Sequence, residues 1–70
     1  MKNGDYIKAK NDIDNGISIT AQTLESMKDM KKEFDDYIAK LTVMGDIKQA
    51  MFMKETSWEI GHYIENAIVA

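Results

Sequence analysis

Apolar positions along this chain fall into two long helical runs and one short one. Over residues 20–43, Leu24, Met27, Lys31, Phe34, Ile38 and Leu41 alternate in steps of three and four. That spacing predicts a helix with a heptad-like seam. Met30 and Tyr37 widen the seam. Lys31 interrupts it, but a lysine stem can lie along apolar surface while its ammonium reaches water. The opposite face is Glu25, Lys28, Asp29, Lys32, Glu33, Asp36 and Lys40. Lys32–Asp36 and Asp36–Lys40 are spaced for ion pairs along one helix face. Ser18, Thr20 and Thr23 are each suited to cap the start.

Gly45-Asp46 breaks the pattern. Glycine suits the position just past a helix end. Asp46 with Gln49 three residues on is an aspartate variant of the capping box. A last helix is therefore predicted over 46–69, antiparallel to the one before it because the linker is short; one long helix kinked at Gly45 is the alternative. Its apolar residues are Ile47, Ala50, Met51, Phe52, Met53, Trp58, Ile60, Tyr63, Ile64, Ala67, Ile68 and Val69. At roughly 100° per residue they wrap most of the cylinder. The polar arc left is Lys48, Glu55, Glu59, His62 and Asn66. Such a helix must be covered on more than one side, and the simplest cover is a second copy. The two-fold contact is placed on Trp58, Ile60, Ile64 and Ile68 with Met51 or Met53. Gly61 sits among them to permit a close helix crossing.

Residues 4–14 carry Tyr6, Ala9 and Ile13 at helical spacing, ended by Asn15-Gly16. Asn-Gly is also a hairpin signal, with Tyr6–Lys10 and Ile17–Thr20 as its strands. Two short strands alone are marginal, so the helix is preferred. The fold class expected is all-α. It is an antiparallel helical hairpin with a short N-terminal helix, one domain over 1–70, assembling as a homodimeric four-helix-type bundle.

Composition sharpens the case for assembly. A 70-residue domain buries only about 60% of its unfolded surface. Small folds compensate with disulfides, a metal or oligomerisation. The chain has no cysteine and one histidine, which leaves oligomerisation. Absence of proline fits a helical chain. Absence of cysteine suits a reducing compartment. Met1-Lys2-Asn3-Gly4-Asp5 leads into no apolar run, so a cytoplasmic location is expected. No run approaches the ~20 apolar residues of a membrane span, and the polar arc of the last helix is not basic enough for membrane-surface binding.

Net charge is −3, and arginine, the preferred bidentate reader of phosphate and guanine, is absent. Nucleic acid is therefore an unfavoured partner. Glu59 and His62 stand at the i, i+3 spacing that di-iron bundles use, yet both lie on the polar arc, so no metal site is expected. Asp35-Asp36 is an adjacent acid pair, but helix neighbours point about 100° apart and do not share a proton. No nucleophile–base pattern is visible around His62. The expectation is no catalytic residue, no cofactor and no enzyme activity.

Five internal methionines, with Phe52, Trp58 and Tyr63, supply a pliable apolar surface of the composition that interfaces favour. The function expected is a non-enzymatic protein-binding module. It would be a small dimeric regulator or inhibitor that binds and blocks a larger protein. A chain of this length, rich in lysine, aspartate and isoleucine, is similar in type to many small phage and mobile-element proteins, some of which disarm a host protein; no motif carries that likeness. The alternatives are a small nucleic-acid-binding transcriptional regulator, using Lys28, Lys31 and Lys32 with Lys2, Lys8 and Lys10, and a structural subunit of a larger assembly.

Overall fold

The computed structural model describes residues 2–70. It holds three helices, α1 (Asn3–Asp14), α2 (Ala21–Met44) and α3 (Ile47–Asn66). The first two stop in the same way. Gly16 and Gly45 both take positive φ, +70° and +83°. Around Gly45, the Gly45 N–H donates to the Thr42 carbonyl and the Asp46 N–H to the Leu41 carbonyl. Gly16 and Ile17 repeat this on Ile13 and Asp12. These are Schellman stops, which satisfy the last helical carbonyls.

The starts of α2 and α3 are set by side-chain caps. Thr20 Oγ1 accepts the Thr23 N–H at 3.0 Å, which selects it among the three capping candidates of α2. Asp46 Oδ1 accepts the Gln49 N–H at 3.3 Å, so the aspartate cap forms as its sequence predicts. With Gly45 in the left-handed conformation the chain reverses, and α2 and α3 pack as an antiparallel hairpin rather than one kinked helix.

Two buried clusters hold the hairpin. Ile38, Leu41 and Ala50, with Met53 against them, lie toward the α2–α3 turn. Ala9, Ile19 and Met27 lie toward the other end, with Tyr6, Ile13, Leu24, Tyr63, Ile64 and Ala67 around them. The second cluster exists because α1 folds as a helix and lays Ala9 onto Met27. Its cover is short, so the turn end of the hairpin has no third helix over it.

The last helix ends earlier than its apolar pattern predicts. It stops at Asn66, and Ala67 is extended (φ −68°, ψ 138°). Residues beyond it pair with the α1–α2 connection: the Ile19 N–H donates to the Ile68 carbonyl at 2.8 Å and the Ala70 N–H to the Ile19 carbonyl at 2.9 Å. Ile19 and Val69 thus form a single parallel bridge. Ile68 and Val69 are β-branched, and pairing in extended form is open to them at little cost. Within Ile17–Thr20, a strand in the hairpin alternative, Ile19 does form a bridge, but its partner is the C-terminal segment.

Candidate protein-binding surface

The inner side of α3 is Ala50, Met53, Ser57, Ile60, Gly61 and Ile64. Ile60 is fully buried inside the chain, so its assignment to a two-fold contact is corrected: it is a core residue. Met53 and Ile64 are partly buried against the two clusters and also face inward. Gly61 does mark a close approach, but within the chain. A Cβ there would stand 2.8 Å from Lys31 Cε.

Lys31 crosses Gly61 to reach a polar tie between the long helices. Its Nζ lies 2.9 Å from Asp35 Oδ2 and 3.3 Å from Ser57 Oγ. The Ser57 hydroxyl, on a residue only 3% exposed, donates to Asp35 Oδ1. The Ser57 hydrogen bond first, then Lys31, holds the Asp35 carboxyl below its ordinary value. A hydroxyl this buried, donating to a carboxylate that prefers to stay ionised, is placed to join helices.

Glu59 lies on the polar arc of the sequence pattern yet is not simply solvated. It accepts from Lys10 Nζ and, at 3.3 Å, from the Tyr6 hydroxyl, both on α1. Lys10 also sits 5.4 Å from the centroids of the Tyr6 and Tyr63 rings, within cation–π range. Tyr63 donates to Asp14 at 3.0 Å. The Lys10 hydrogen bond, foremost, lowers the Glu59 pKa. Burial first, then the Glu59 charge, pushes the Tyr6 phenol up, and the Asp14 hydrogen bond raises that of Tyr63. These partners are 49 and 53 residues apart in sequence, and no local pattern signals them.

His62 turns the other way and stacks on Trp58, ring centroids 5.8 Å apart and planes 13° from parallel. Glu59 and His62 therefore diverge. Among the described residues no three His, Cys, Asp or Glu side chains stand together as metal ligands. Three lysines named for nucleic-acid contact have acidic partners: Lys10 with Glu59, Lys28 with Glu25 and Lys31 with Asp35. No helix among the described residues is long and apolar enough to cross a membrane.

Outward on α3, large apolar side chains stand among the exposed Lys48, Lys54, Glu55 and His62. Trp58 is 74% exposed, Met51 64% and Ile47 52%. They lie on one side of α3, eleven residues from Ile47 to Trp58 with Lys54 between, and Val43 and Met44 are exposed at the end of α2. Beside Trp58 a shallow groove of about 780 Å³ runs between the long helices, over Ile38, Asp35 and Lys54. Of the residues that the sequence places at an interface, Met51, Trp58 and Ile68 point outward, and Met53, Ile60, Gly61 and Ile64 point inward. Ile47, Val43 and Met44 join the outward set. Exposed apolar side chains occur singly on most proteins, but several large ones on one side of a helix are the pattern of an interaction surface.

Searches against protein families, curated proteins and solved structures gave no match to this chain.

Proposed function

We propose that the chain is a non-enzymatic protein-binding module that works as a homodimer. It is a small regulator or inhibitor of the cytoplasm that occupies and blocks a surface of a larger protein. Its size and composition fit a phage or mobile-element product acting on a host protein. One observation carries the dimeric part of the reading: Trp58, mid-helix and 74% exposed, has no role in the core of its own chain. Tryptophan, methionine and isoleucine on a rigid helix are the anchors that interfaces concentrate.

Two apolar areas divide the work. The stripe on α3 joins the copies. Ile17, Ile68 and Val69, exposed on the segments that the Ile19–Val69 bridge brings side by side, meet the larger protein. Affinity capture from the source cell tests this with the wild-type chain and with Ile68→Asp. One protein retained by the wild type and lost by the variant, with the dimer intact, supports the reading. No reproducible partner, or equal retention by both, contradicts it.

A further inference from the structure

The exposed charges of α2 and α3 are arranged differently. On α2, Lys28 pairs with Glu25 and Lys31 with Asp35. On α3, Lys48 has no acid three or four residues away, and Glu55 has no lysine. Neither enters an ion pair among the described residues. Lys48 also stands in the first turn of α3, where the helix dipole disfavours a cation. Both are exposed on the flank of the apolar stripe.

Their spacing carries further information. Lys48 and Glu55 are seven residues apart, two helical turns, so they share one flank. Ile47 and Trp58 are eleven apart and share the stripe beside it. The midpoint of Lys48 and Glu55 falls between Met51 and Phe52, and that of Ile47 and Trp58 one residue on, between Phe52 and Met53. Two copies of α3 crossing antiparallel between Met51 and Phe52 would set Lys48 against Glu55 of the partner subunit, twice, and bring Ile47 to within about 3 Å along the axis of Trp58 of the partner subunit. A parallel arrangement would set lysine on lysine and glutamate on glutamate.

We propose that the outward face of α3 binds a second copy of this chain, the two α3 helices antiparallel about a two-fold axis at Met51-Phe52. This rests on the dimeric reading above and adds the direction and register of the pairing. It explains why Lys48 sits at a helix start without a partner: the neighbouring Glu55 of the partner subunit supplies the negative charge that the helix start favours.

The experiment combines charge exchange with cross-linking, both on exposed positions. Lys48→Glu alone and Glu55→Lys alone each raise the dimer dissociation constant about tenfold, and the double exchange restores it to within about threefold. Because the chain lacks cysteine, single thiols report position cleanly. A mixture of Lys48→Cys and Glu55→Cys chains oxidises to a covalent heterodimer. Lys48→Cys alone does not, since its two copies lie roughly 10 Å apart along the helices, beyond disulfide reach. A covalent dimer from Lys48→Cys alone, or charge effects that add without rescue, overturns the antiparallel register and leaves the dimer standing. A wild-type chain that sediments as a monomer overturns both.

Discussion

Lys31 lies across Gly61, and the contact exists only because residue 61 has no side chain. A Cβ there would come within 2.8 Å of Lys31 Cε, and 3.6 Å of its Cδ. Glycine inside a helix costs about 1 kcal/mol relative to alanine. Here the cost is set against the route it opens for the Lys31 ammonium to Asp35 and Ser57.

The first prediction follows from that notch. Gly61→Leu overpacks it and destabilises the folded chain by about 1–3 kcal/mol. Lys31→Ala in the same chain recovers most of the loss, because the obstructing stem is gone. Denaturant titration of the two single variants and the double variant measures the coupling. A purely additive result places the cost of leucine elsewhere.

Ser57→Ala removes the buried hydroxyl of the same tie. Asp35 keeps Lys31 and contact with water, so the expected loss is about 1 kcal/mol. Thermal unfolding of the variant is the check. A loss of several kcal/mol would mean that Asp35 depends on Ser57 far more than its exposure implies.

Acid and base act on identifiable groups. Asp35 and Glu59 have folded pKa values below their ordinary 3.8 and 4.5. Their contribution is therefore complete above those values and fades as pH falls through the lowered ones. The phenols of Tyr6 and Tyr63 are raised above their ordinary 10.0. They stabilise below pH 10 and lose that contribution as pH rises further. Lys10, raised above 10.5 by its hydrogen bond to Glu59, adds to the same alkaline limb. Stability against pH should show both limbs, and Glu59→Gln should flatten part of each.

The N-terminal helix is held by few apolar side chains and by the contacts to Glu59 and Asp14. Glu59→Ala should loosen it by about 1 kcal/mol, discounted because the Lys10–Glu59 pair is partly exposed. Hydrogen exchange reads this directly: amides of α1 lose protection while those of α2 and α3 keep theirs. Equal loss across all three helices would show that α1 and the hairpin unfold as one unit.

Much of the hairpin was legible because its signals are local. Gly45, Asp46 and the three-four steps from Leu24 to Leu41 act within a few residues, and periodicity reports them. Lys31 in the seam was also a usable sign. It stands about as far before the turn as Ser57 and Gly61 stand after it, so two flaws in facing helices meet. The role of Glu59 was not legible. Its partners Lys10 and Tyr6 come from a helix roughly fifty residues away, whose docking no local pattern encodes. Ile64 is hidden for the same reason, since it packs against the cluster of Ala9, Ile19 and Met27, and Ile60 is fully buried on the inner side of α3. Ala67-Ile68-Val69 read as helix because their apolar character fits either conformation, and pairing with Ile19 decided it.

The central claim is that the outward stripe of α3 is reserved for another protein surface, first of all a second copy of the chain. Sedimentation equilibrium at micromolar concentration tests it, run on the wild type and on Trp58→Ala, a substitution expected to change protomer stability by no more than about 0.5 kcal/mol. The expected wild-type mass is twice 8.0 kDa, with a shift of the variant toward the monomer at unchanged helix content. A wild-type monomer with α3 fully folded would contradict it.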